Sequence, residues 1–209
     1  QRELVHLGIM VPRTQDFVIE KAAPSDPLAI PAQNIGSLLQ FTPQGTYGHL
    51  VKVIGTVTCQ QYGTNLVIED AEQGLMVQTH QLLKVQTGDL VEVVGFPAEG
   101  EYTPILQDAI FRQIGHGQQP TPVLIDPDKA LKGTYDSRLV QIEANLIGQA
   151  QLTREQSLVL DEKNFVFQAY YQQDTNGVAL AHLQNGSRVM VTGIYQVSPG
   201  TGWVAGEDW

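Results

Sequence analysis

Five histidines (His6, His49, His80, His116 and His182), one cysteine (Cys59) and several short acidic clusters carry whatever acid–base, nucleophilic or metal chemistry this chain holds. A nucleophilic triad needs Ser, Cys or Thr beside a His that an acid orients. The histidines are scattered, and no Ser stands in a Gly-x-Ser-x-Gly elbow. A metal site needs His or carboxylates at coordinating spacing. Glu69, Asp70 and Glu72 are close in sequence, but with Gly74 they read as a hairpin turn, where Asp bonds its own backbone. Asp89 after Gly88 reads in the same way, as the turn into a strand. Glu99, Glu101 and Asp108 are candidates to line a loop cleft with His116. The Gly115-His116-Gly117 pair lacks the strand and helix that a phosphate loop requires. A single Cys excludes an intramolecular disulfide and a multi-Cys metal site. These patterns assign no catalytic residue, no metal ligand and no cofactor.

Composition narrows the partners. Of 209 residues, 42% are hydrophobic and 16% charged, which is apolar enough for a packed core and too apolar for a disordered chain. Asp and Glu outnumber Lys and Arg 22 to 12, a net charge of −10. Nucleic-acid binders neutralise phosphates with clustered Lys and Arg, so this balance argues against a nucleic-acid partner. No run approaches the roughly 20 apolar residues of a membrane helix. A first residue other than Met, with no basic-then-apolar leader, fits a segment processed or excised from a longer product.

The elements that must position any site emerge from an internal repeat. Gly45-Thr46-Tyr47 followed by Leu50-Val51-Lys52-Val53 recurs as Gly133-Thr134-Tyr135 followed by Leu139-Val140-Gln141-Ile142. Asn65 to Glu69 corresponds to Ser157 to Asp161, and Gly88 to Gly95 corresponds to Gly186 to Gly193. Within each copy apolar residues alternate with polar ones, the period of a strand. The first copy reads as strands at Val51 to Thr58, Leu66 to Ile68, Leu75 to Gln78, Leu90 to Val94 and Pro104 to Arg112, with a short helix over Thr79 to Val85. The second repeats this order, its helix near Ala179 to Leu183.

The order β-β-β-α-β-β, with Gly55 free to bend a long first strand, predicts an all-β chain with short helices that forms two tandem OB-fold-like five-stranded barrels. The expected divisions are 1–44 (extended segment and short helix), 45–115 (first barrel), 116–132 (Gly/Pro-rich linker and short helix) and 133–209 (second barrel). Asp126, Pro127 and Gly133 specify the ends of that linker helix. Leu4 to Val11 and Phe17 to Ile19 are strand-like. After Tyr195 only Trp203-Val204-Ala205 resembles a strand, so the second barrel is expected to be incomplete or completed by another segment. Residues 15–21, from the same chain or a neighbour, are the candidate.

OB barrels bind on the face of their second and third strands and in the flanking loops. Tyr62, Glu99, Glu101 and Tyr102 occupy such loops in the first copy, and Tyr170 and Tyr171 belong to an aromatic set in the second. These six are the candidate ligand-binding residues.

The run Gly45 to Thr58, with Leu66-Val67-Ile68-Glu69-Asp70-Ala71, Gly88 to Phe96 and Pro104-Ile105-Leu106, resembles the tandem OB-like extracytoplasmic input regions of bacterial membrane sensor proteins of the histidine kinase and diguanylate cyclase type. The similarity extends through the Pro120-Thr121-Pro122 linker to Tyr135–Ala144. It implies a non-catalytic sensory or interaction module, periplasmic or secreted, acting through an unidentified small molecule or protein partner held between two barrels. The residues leave two other readings open: a secreted assembly protein that self-associates by β-strand addition through its N-terminal segment, and an oligonucleotide- or glycan-binding module.

Overall fold

A computed structural model of the chain describes residues 8–20, 26–38, 49–126, 130, 133–151, 155–163, 165–172 and 183–197. Alternation builds the first barrel. In β2 (Val51–Gln61), Val51, Val53, Gly55 and Val57 are buried while Ile54 faces out. It pairs antiparallel with β3 (Asn65–Glu69), which pairs with β4 (Gly74–Gln78). Next come β5 (Asp89–Ala98) and β6 (Ile105–His116), an antiparallel pair. β4 meets β6 in parallel at Val77↔Leu106, and β5 returns to pair with the first half of β2. The order β2-β3-β4-β6-β5 therefore closes on itself, the topology of an OB barrel.

Closure is driven by burial. Val53, Val57, Leu66, Ile68, Leu75, Val77, Val91, Val93 and Leu106 form one core with no solvent exposure. Each such side chain contributes about 1.5–3 kcal/mol relative to exposure. The bend in β2 differs from expectation in its place: the register slips between Val57 and Cys59, two residues beyond Gly55. Gly55 serves close approach instead, since a Cβ there would press on the Glu69 carbonyl and the Ile68 side chain at 3.1 Å.

The lead-in packs onto this barrel. β1 (Ala32–Gln33) runs parallel to β2, and α1 (Ile35–Leu38) buries Ile35 and Leu38 in the same core. Asp26 caps a 3-10 turn at Pro27–Ala29, and Lys52 Nζ donates to the Leu28 carbonyl at 2.7 Å.

Thr79 to Val85 is irregular, neither helix nor strand. Glutamine side chains supply the partners that a helix would have given its backbone. Gln60 donates to Leu83 O and accepts from Val85 N, and Thr79 Oγ1 donates to Ala109 O at 2.6 Å. Gln81 donates to and accepts from the Phe111 backbone, both at 2.9 Å. These bonds reach 23 to 30 residues along the chain, and such tertiary partners outcompete a helix only a turn or two long.

The second module repeats the plan. β7 (Val123–Leu124) runs parallel to β8 (Leu139–Gln151), as β1 does to β2, so the Pro-rich stretch contributes a strand rather than a bare linker. Ala130 N bonds Asp126 O, the expected helix start, and buries Ala130 with Ile125, Val140 and Ile142. β9 (Glu155–Glu162), β10 (Phe165–Gln172) and β11 (Arg188–Ile194) complete a sheet of order β10-β9-β8-β11. Its bulge falls between Leu146 and Gly148. The predicted second helix lies outside the described residues except for Leu183, which is irregular.

Among the described residues no strand joins β10 to β11, the place that β6 takes in the first barrel. Residues 15–20 of the same chain do not fill that place. Thr14–Asp16 is a 3-10 turn, and Phe17, Val18 and Ile19 are exposed and unpaired as strand. Residues 8–11 are likewise not strand.

Candidate functional site between the modules

The six candidate residues fall into three places. Glu99, Glu101 and Tyr102 share the loop between β5 and β6, and all three are exposed. Tyr62 follows the far end of β2, whereas the β5–β6 loop lies beside its start, where Val51 pairs with Gly95. Tyr62 is half exposed but has local work. Its hydroxyl donates to Leu82 O at 3.1 Å, and Lys84 Nζ lies 5.4 Å over its ring. Tyr170 and Tyr171 point to opposite faces of β10: Tyr170 is exposed and donates to Gln168 Oε1, while Tyr171 packs into the second core. Only the Tyr102 loop meets the other module.

The cleft proposed for Glu99, Glu101, Asp108 and His116 does not form. Asp108 and His116 are eight residues apart along β6, about 26 Å in extended chain. His116 Nδ1 instead meets Asp89 Oδ1 at 2.6 Å. Asp89 also accepts from Gln86 N, as the turn reading expects. That bond and His116 hold its carboxyl below the ordinary value. Asp70 is likewise a turn residue, accepting from Glu72 N and Gln73 N, and from Ile35 N of the lead-in.

The seam between modules is built from residues that carry no motif. Asp136 accepts from Thr103 Oγ1 in the first module and from Val197 N, at 2.9 Å, in the second. Glu69, at the end of β3, accepts from Leu139 N at the start of β8. Burial pushes the Glu69 carboxyl above its usual range, while the Leu139 bond and nearby Arg138 pull it back. Gly133 has φ of +68°, and its missing side chain admits the Tyr102 ring. A Cβ on Gly74 would collide with the Ser137 carbonyl. Ser137 and Arg138 pair with the Tyr195 backbone, and Tyr195 Oη donates to Ala130 O at 3.0 Å. Burial, Asp136 and Tyr102 raise the Tyr195 phenol above its ordinary value.

Of the residues at this seam, the sequence singled out Tyr102 as a candidate for ligand binding, gave Glu69 and Gly74 only a turn role, and left Thr103 and Asp136 unmarked. Gly133 left a trace, as the first glycine of the repeated Gly-Thr-Tyr.

The seam and its surroundings offer polar and aromatic surface. Among the described residues, no three His, Cys, Asp or Glu side chains converge to hold a metal ion. Burial also raises the Cys59 thiol, which disfavours the thiolate that nucleophilic chemistry needs. Several cations are committed to carboxylates: Lys52 and Arg112 to Glu92, Lys163 to Asp126, and Arg188 to Glu143 and Glu162. Those two glutamates raise the Arg188 guanidinium further.

No family model matches the chain, and no curated protein matches its sequence. Several solved structures share part of its arrangement. The chain aligns over 78% of its length with 78% of a fission yeast Pot1 chain solved with single-stranded DNA, at 11% identity and TM-score 0.33. It aligns over 69% with 99% of an Ifi202 HINa domain in complex with 20-base-pair double-stranded DNA, at 4% identity and TM-score 0.33. A murine DNA-binding protein bound to double-stranded DNA aligns over 66% of this chain and 83% of its own, at 5% identity and TM-score 0.31.

Proposed function

We propose that this chain is a non-catalytic binding module of a bacterial signalling protein, working outside the cytoplasmic membrane. In this reading a small molecule or partner segment binds at the seam and shifts the angle between two OB-like modules. The observation that carries it is the Tyr102 loop: its half-exposed aromatic ring lies against Gly133 of the second module, and the next residue, Thr103, bonds Asp136, whose carboxylate holds both modules. A ligand touching Tyr102 and Asp136 contacts both sides, so its affinity depends on their arrangement, which is what a signalling input requires. The sensory role and the location draw support from the resemblance of the glycine frame to sensor input regions. A nucleic-acid partner is disfavoured by the net charge of −10 and by the ion pairs that tie Lys52, Arg112 and Arg188 to carboxylates.

A thermal-shift screen of sugars, amino acids, aromatic acids and cell-wall fragments tests the reading. A ligand at a hundredfold its Kd stabilises by about 2.7 kcal/mol. Tyr102→Ala should abolish the shift, and Tyr62→Ala should preserve it. Hits indifferent to Tyr102→Ala would remove the seam as the site.

A further inference from the structure

The open side of the second module can be measured against the first barrel of the same chain. By strand register and by the repeat, Val189 and Val191 stand where Val91 and Val93 stand. Phe167, opposite Leu160, and Ala169, opposite Leu158, stand where Leu75 and Val77 stand. The four first-barrel residues are fully buried, under the cover of β6 with its inward Leu106, Ala109 and Phe111. Their second-module counterparts are only partly buried, and neighbouring Met190 is 53% exposed. The cover that the described residues do not supply is a strand, antiparallel to β11 and parallel to β10, with apolar residues on one face.

A segment of that kind lies unused at the other end of the chain. Phe17, Val18 and Ile19 are 67%, 80% and 82% exposed, and Phe17 already has the extended angles φ −86° and ψ 123°. Residues two apart on a strand share a face, so Phe17 and Ile19 would enter a core together while Val18 faces out. Ile9 and Met10 upstream are even more exposed. Large contiguous apolar exposure marks an interaction segment.

We propose that the N-terminal segment around Phe17–Ile19 of one copy inserts between β10 and β11 of a second copy and closes its second barrel. The occupant is a second copy, because the segment in this copy is not in its own groove and its apolar residues match what the groove lacks. Donor and acceptor are different surfaces of one chain. The contact is therefore heterologous and propagates head to tail unless a ring closes.

Light scattering across a concentration series reads the outcome. The wild type should exceed its monomer mass of 22.9 kDa increasingly with concentration. The double variant Phe17→Asp, Ile19→Asp should stay monomeric; both sites are exposed, so folding is not at stake. A synthetic peptide of residues 13–20 should raise the melting temperature of the double variant and dissociate wild-type oligomers. A wild type monomeric at every concentration overturns the proposal, as does an oligomer that survives the double substitution. Trp203 and Trp209, the only tryptophans, add a further arm. Protection from an aqueous quencher in a monomer would mean that the chain's own C-terminal stretch fills the groove, which also overturns it.

Discussion

Glu69 and Asp89 meet acid in opposite ways, because one is desolvated and the other is well bonded. Asp89 has its folded pKa depressed by the Gln86 N–H and His116. Its contribution is complete above the unfolded value of about 3.9 and is lost as pH falls through the folded value. Asp89→Asn should therefore flatten the loss of stability below about pH 4, as followed by urea midpoints measured across the acid range. Glu69 has its folded pKa raised by burial. Its favourable term is present below the unfolded value of about 4.3 and is lost as pH rises through the folded value. Glu69→Gln keeps an oxygen for Leu139 N and removes the desolvated charge. That variant should be more stable than wild type at neutral pH, with the gain vanishing in acid; equal midpoints at pH 7 would contradict this. Gly74→Ala tests the seam on space alone, since no left-handed backbone is involved. It should separate the modules, seen as faster exchange of the Leu139 amide while β2 and β5 stay protected.

At the level of elements, the irregular stretch from Thr79 to Val85 takes the place of the helix that the sequence suggests. Leu82, Leu83 and Val85 have helical spacing, yet Leu82 is 71% exposed and only Val85 packs on the core. Gln60 and Gln81 hold this stretch with paired amide bonds that mimic a β ladder. Leaving a buried backbone group without its partner costs about 1–3 kcal/mol. Gln81→Ala should lower stability by that order in a urea titration and speed exchange at the Phe111 amide. Alternation was easier to read. β2, β3, β4, β5 and β6 were all anticipated, because period two follows from the backbone itself. The displaced bulge and the parallel strand at Val123–Leu124 were not, since each depends on what a neighbouring strand offers.

For the whole molecule, the two copies share a plan but, among the described residues, not a degree of closure. Among the described residues the first core is one buried cluster, whereas the second has two smaller ones bridged by half-buried Phe167 and Val191. Local stability follows buried apolar contact. In the monomer, amides of β8–β11 should exchange faster than those of β2–β6, and equal protection across both would show that the second module is closed. Leu75→Ala in the first core should cost about 2–5 kcal/mol. The charge balance makes a further whole-chain prediction. Fluorescent single-stranded DNA should show no anisotropy change at low salt, where phosphate attraction is strongest. Salt-sensitive binding there would reverse the view of the partner.

The amino-acid sequence alone determined the duplicated strand pattern, the turn roles of Asp70 and Asp89, and the acidic field. These follow from local sterics, from side chains bonding their own turns and from simple charge counting. Tertiary structure alone decided that Tyr102, Thr103 and Glu69 meet Gly133, Asp136 and Leu139, and that Tyr62 and Tyr170 lie elsewhere. Those residues are 30 to 70 positions apart, and nothing in a side chain's type encodes which distant backbone it will reach. Chain closure and packing settle that, together with the two glycines whose missing side chains let the modules touch.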